Sequence, residues 1–222
     1  MKKLITLLLA LAMLAGLTAC SSDKHTDTDI SESESQTSAE STALDYTDIN
    51  ILDYVESATY KGLKVDVDDG DTKEDKLWES ILDTAVIKSY PEDKVNYYFN
   101  QTKQYYMYLA NNNKDQYPTV LKHFDTDEAE MLEDAREMVA KDLVYNYIVA
   151  TEQIDISEAE KSELYGKYVD KYVNDYGYNR DYVTANMTDL IHDSMLYDKT
   201  MEFLLSSNTF NVKASTTDTD ER

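Results

Sequence analysis

Residues 127–151 read DEAEMLEDAREMVAKDLVYNYIVAT, and the fold turns on how that stretch is read. Met131, Leu132, Ala135, Met138, Val139, Leu143, Tyr147 and Ile148 recur at helical, not alternating, spacing, while Glu130, Glu133, Glu137 and Lys141 fall outside the stripe. That is the pattern of a long amphipathic helix. Thr126 is placed to cap it, and Asp127 and Glu128 bring negative charge to the first turn, where the helix dipole favours it. At about 1.5 Å per residue the helix is roughly 40 Å long. Such a length predicts a spine carrying arms.

Downstream, Ser157 and Glu160 form a capping box for a helix that continues to about Tyr176, with Leu164, Tyr168, Tyr172 and Val173 as its stripe. Gly177 suits the position after its end. Asn179 caps a short turn through Tyr182 and Val183, and a last helix, Met187 to Ser207, presents Leu190, Ile191, Met195, Leu196, Met201, Phe203 and Leu204. Upstream, a helix over Glu74–Val86 carries Leu77, Trp78, Ile81, Leu82 and Ala85. Pro91 opens another that runs to Ala110 and stops at Asn111, Asn112 and Asn113. Tyr60 to Val67 alternates like a short strand and ends in the turn Asp68, Asp69, Gly70, Asp71. That acidic turn does not fit a calcium loop, because Gly70 at the sixth position puts Val65 first and Lys76 twelfth.

The expected fold class is therefore all-α: an elongated helical bundle with a long spine helix and helical arms, plus a strand-like segment near residues 60–67. The expected organisation assigns 1–19 to a lipoprotein signal peptide and 20–47 to a lipidated cysteine with a disordered, acidic, Ser/Thr-rich tether. Residues 48–73 form an irregular, strand-bearing segment, 74–208 the helical domain and 209–222 a disordered tail. Lys2 and Lys3 precede an apolar run, Leu4 to Leu17, too short for a usual membrane span. Leu17, Thr18, Ala19 and Cys20 resemble a bacterial lipobox, which makes Cys20 the expected site of lipidation. Lipid chains there, at about 0.8 kcal/mol per buried methylene, would hold the chain on the extracytoplasmic face of the cell membrane. Cys20 is the only cysteine, so no internal disulfide staples the fold.

The formal charge is −23, and loss of Lys2 and Lys3 with the signal takes it to −25. Such a chain repels phosphate backbones, so nucleic acid is not an expected partner. His25, His123 and His192 have no ligand spacing among them, and neither a nucleophile elbow nor a glycine-rich phosphate loop appears. No metal, cofactor or catalytic set is expected, and the chain does not read as an enzyme. Asn100 and Asn186 begin glycosylation sequons, but both fall inside expected helices of a chain with a bacterial lipobox.

Tyrosine is the unusual feature, with 19 against four phenylalanines. Half-buried packing with the hydroxyl at water accounts for most of them. Tyr97, Tyr98, Tyr105, Tyr106 and Met107 crowd one helix, and together with Met138 and Tyr147 on the spine they are the candidate client-binding residues, because Tyr and Met suit adaptable contacts.

The order of these motifs resembles trigger factor: Tyr60, Lys61, Gly62, Leu63, Lys64, Val65; then Leu77 to Ala85 leading to Pro91 and Glu92; then the spine; then Glu152 to Ser157. The resemblance covers roughly Tyr60 to Ser207 and implies the C-terminal chaperone body with two arms. It does not extend to the isomerase domain, since only about 16 residues lie where that domain is inserted, nor to the ribosome-docking domain. The periplasmic chaperone that receives outer-membrane proteins has a similar helical body. The expected function is a membrane-anchored chaperone-like protein that holds unfolded or exported polypeptides without ATP. The alternative is a structural or assembly lipoprotein that binds one defined envelope partner.

Overall fold

The computed structural model describes residues 44–109 and 127–213. They are mostly helical, with a few short strands: β1 (Val55–Ser57), β2 (Lys64–Val67), α1 (Lys73–Leu82), β3 (Val86–Ile87), α2 (Glu92–Leu109), α3 (Glu128–Glu152), α4 (Glu158–Tyr176), α5 (Arg180–Asn186), α6 (Thr188–Ser206) and β4 (Thr209–Val212). The lipobox and the first 43 residues lie outside the described residues. Among the described residues no helix is long and apolar enough to cross a membrane.

The spine is α3. Asp127 caps it, accepting the N–H groups of Ala129 and Glu130 through its carboxylate, so the cap lies one residue beyond the expected Thr126. Its buried face is Met131, Ala135, Val139, Leu143, Val144 and Ile148. The helix ends at Gln153, a non-glycine residue in the left-handed region at φ 53°. The expected capping box is present at Ser157 and Glu160, and Gly177 closes α4 at φ 74°. Pro91 precedes α2, and its carbonyl accepts the N–H of Val95, so its missing N–H leaves no bond unmade.

Three apolar clusters order these elements. Tyr60, Val65, Val67, Leu77, Trp78, Ile81, Val144, Ile148, Met201 and Leu204 bring together β2, α1 and the C-terminal halves of α3 and α6. Tyr46, Val55, Val95, Ala135, Val139 and Leu143 join the N-terminal segment and α2 to the middle of α3. Ile156, Val169, Val183, Met187, Ile191 and Met195 form a separate core for α4, α5 and the N-terminal half of α6. Both α3 and α6 thus run from a smaller core into the largest one.

Three expectations are corrected. The helix expected over Glu74–Val86 stops at Leu82. The Thr84 hydroxyl turns back to the Ile81 carbonyl at 2.9 Å, and the β-branched pair Val86–Ile87 then forms β3, antiparallel to β1. Residues 209–222 are not all disordered tail: Thr209–Val212 pairs in parallel register with Lys64–Val67, with Val65 opposite Phe210. The tether does not reach residue 47, because Tyr46 is buried in the second cluster. The mostly helical class holds, with two small two-stranded sheets added among the described residues, one of which joins the two ends of the described chain.

Candidate functional site

The residues named from sequence do not form one open surface. Tyr97 and Tyr98 meet edge to face at 5.6 Å between ring centroids, and Tyr105 lies against Tyr106 at 6.0 Å. Tyr106 is only 4 % exposed and packs on Met131, while Tyr147 is shared between the two larger cores and meets the Tyr60 ring edge-on. Met138 is half-buried on α3, and the side chain of Met107 lies outside the described residues. All six with described side chains are buried or half-buried. The reason is that α2 packs along α3, which covers Tyr98, Tyr105 and Tyr106, while Tyr147 packs against Tyr60.

That seam holds a polar centre which the sequence reading missed. Asp142, on α3, accepts the Tyr98 hydroxyl at 2.6 Å and the Tyr46 hydroxyl at 3.0 Å on the same oxygen. Burial pushes the Asp142 carboxyl above its ordinary range, against the two phenols and Lys141, which favour the charged form. Burial and the facing carboxylate likewise push the Tyr46 and Tyr98 hydroxyls up. Lys94, 6 % exposed, lies 5.5 Å from the Tyr46 ring centroid and 3.3 Å from both Asp48 and Asp93. Burial opposes its charge, but the two aspartates outweigh that cost and hold it above the ordinary lysine range. Lys141 sits 5.2 Å from the Trp78 ring, with its ammonium pushed down by burial. The available signal was Asp142 itself, a carboxylate three residues after Val139 at the edge of an apolar stripe.

A second arrangement lies where α4 turns into α5. With Gly177 left-handed, the Tyr178 N–H reaches back to the Tyr172 carbonyl at 3.2 Å. The rings then form a continuous row: Tyr176 to Tyr172 at 5.5 Å, Tyr172 to Tyr178 at 6.2 Å, and Tyr178 stacked on Tyr182 at 6.2 Å with planes 10° apart. Tyr172 is anchored by its hydroxyl to Ser194 at 3.0 Å. The two ends are open, with Tyr176 39 % and Tyr182 53 % exposed. Arg180 pairs with Asp170 beside the row. The turn was legible, but the convergence of four rings from three segments was not.

Among the described residues no group of three or more His, Cys, Asp or Glu is gathered as a metal site. His192 is half-buried on α6 with Asp193 at 3.8 Å, while His25, His123 and Cys20 lie outside the described residues. Comparison with protein-family models, with curated proteins and with solved structures finds no match to this chain.

Proposed function

We propose that the chain is a lipid-anchored, extracytoplasmic protein that holds segments of other polypeptides, without ATP or covalent chemistry. In this reading α3 is the spine, α2 and the α4–α6 unit are its two arms, and Cys20 carries the lipid. The observation that carries it is the open tyrosine row at the α4–α5 turn. Exposed aromatic rings fixed in a row offer rigid apolar area and edge hydroxyls, which suits transient contact with extended chains of varied sequence. The pattern resemblance to the trigger factor body supports the same role, and the acidic surface keeps the assembly soluble.

One observation favours the narrower reading, an assembly lipoprotein with a single envelope partner. The large apolar side chains of the described residues mostly close into internal cores, and exposed ones are few, Leu52, Val86, Tyr90, Tyr176, Tyr182 and Val212. The two readings separate in a light-scattering assay with a denatured client. The holding role requires suppressed aggregation at stoichiometric excess, and its loss in a Tyr176→Ser, Tyr182→Ser variant of unchanged helicity. No suppression, with one dominant envelope protein recovered by crosslinking, would replace it with the narrower role.

A further inference from the structure

Residues 44–49, Leu-Asp-Tyr-Thr-Asp-Ile, lie across the α2–α3 seam as a strap. Three observations set this segment apart from ordinary core. Leu44 and Ile49 flank Tyr46 on the second cluster, so the seam beneath the strap is apolar. Its recognition groups are charged and deeply placed: Lys94 meets Asp48 and the Tyr46 ring, and Asp142 takes the Tyr46 hydroxyl. Each of these groups also has a partner outside the strap, Asp93 for Lys94 and Tyr98 for Asp142, so neither becomes an unpaired buried charge when the strap leaves. Finally, the strap is held by side chains alone. Its backbone bonds are its own, Thr47 N–H to the Asp45 carboxylate and Ile49 N–H to the Tyr46 carbonyl, and among the described residues none joins it to α2 or α3.

We infer that the α2–α3 seam is a peptide-binding groove which residues 44–49 occupy in cis. Its ligand in trans is a polypeptide segment of the same chemistry: a tyrosine followed two residues later by a carboxylate, with an aliphatic side chain on either side. Tyrosine satisfies Asp142 and stacks under Lys94, and the carboxylate pairs with Lys94. Phosphate on the tyrosine would set a dianion against Asp142, so the groove selects the unmodified residue. This site uses helices other than those of the tyrosine row and stands or falls separately from it.

The test uses the full chain and a fluorescein-labelled peptide with the sequence of residues 42–51, read by anisotropy. In the wild type the attached strap competes at high effective concentration, so the peptide binds weakly. A Tyr46→Phe, Asp48→Asn variant keeps the apolar packing but loses the polar anchors, and is expected to bind the free peptide about tenfold tighter or more. The same two substitutions placed in the peptide abolish that gain. A folded variant that binds no better than wild type, or that binds the substituted peptide equally well, overturns the groove. If the variant does not fold, hydrogen exchange on the wild type decides. Amides of residues 44–49 that open far more readily than those of the α3 centre support a displaceable strap, and protection equal to the α3 centre rules it out.

Discussion

The side-chain oxygen of Asn208 accepts the backbone N–H of Leu63 at 2.8 Å, so a residue just past the end of α6 fixes the start of the second strand. Its amide nitrogen donates to the carbonyls of Tyr60 at 2.9 Å and Leu204 at 2.7 Å, and these two bonds are buried. The Gly62 N–H adds a bond to the Ser207 carbonyl, and Thr209 N–H one to Leu63. One amide therefore satisfies three backbone groups in two segments and sets the register of the β2–β4 pair. Parallel strands need a long crossover, and the segment that carries α1 to α6 supplies it.

Asn208→Ala is accordingly expected to cost about 2–4 kcal/mol, because it strands two buried acceptors and a part-buried donor. Urea unfolding monitored by circular dichroism measures it. A loss under about 1 kcal/mol would show that water replaces the amide and that the junction is looser than drawn.

This closure marks the limit of what the sequence could say. The spine, the capping box at Ser157, the Gly177 stop and the Val65–Val67 alternation were legible because each is a local pattern with a local cause. The strand Thr209–Val212 was not, since Phe210 and Val212 gain strand structure only from a partner some 145 residues away. For the same reason Tyr98 and Tyr106 looked available: helical spacing reports which face a residue occupies and is silent on what covers that face. Tyr46 was assigned to the tether on composition, although a lone aromatic at the edge of a polar run was the sign of its docking.

The acid response of the seam follows from Asp142. Its carboxyl titrates above the unfolded value of 3.8, so the folded state binds the proton more tightly. The stability it contributes is complete below 3.8 and is lost as pH rises through the folded value. Relative to Asp142→Asn, which does not titrate, the wild type should therefore gain stability on acidification from about pH 7 to about pH 4. Urea midpoints of the two proteins across that range measure the difference. A gap that moves the opposite way would mean that the two phenols and Lys141 outweigh burial.

Glu160 predicts the reverse trend. Lys199, at 2.7 Å, together with the Ser157 hydroxyl and backbone N–H, holds its carboxyl down to about 2 from the ordinary 4.5. Its contribution is present above 4.5 and is lost as pH falls toward 2. Glu160→Gln should melt below the wild type at neutral pH and converge on it in acid. The Lys199 ammonium also donates to the Asp155 carbonyl at 2.7 Å, so this one contact ties the α3–α4 connection to α6. Parallel melting curves at every pH would show that solvent screens the pair completely.

Two left-handed residues offer a matched test of backbone strain and of the tyrosine row. Gln153 ends α3 at φ 53°, where a side chain is disfavoured by about 1 kcal/mol, so Gln153→Gly should stabilise by up to that amount. Gly177 ends α4 at φ 74° with nothing within 4 Å of an added Cβ, so Gly177→Ala meets strain without a clash and should cost about 1 kcal/mol. The two changes differ in their reach. Gln153→Gly leaves the α4–α5 turn untouched, whereas Gly177→Ala acts on the reversal that sets Tyr178 between Tyr172 and Tyr182. Thermal unfolding reads the first effect, and near-ultraviolet circular dichroism of the stacked tyrosines reads the second. The row depends on that glycine only if Gly177→Ala alters the tyrosine signal well below its melting temperature while Gln153→Gly does not.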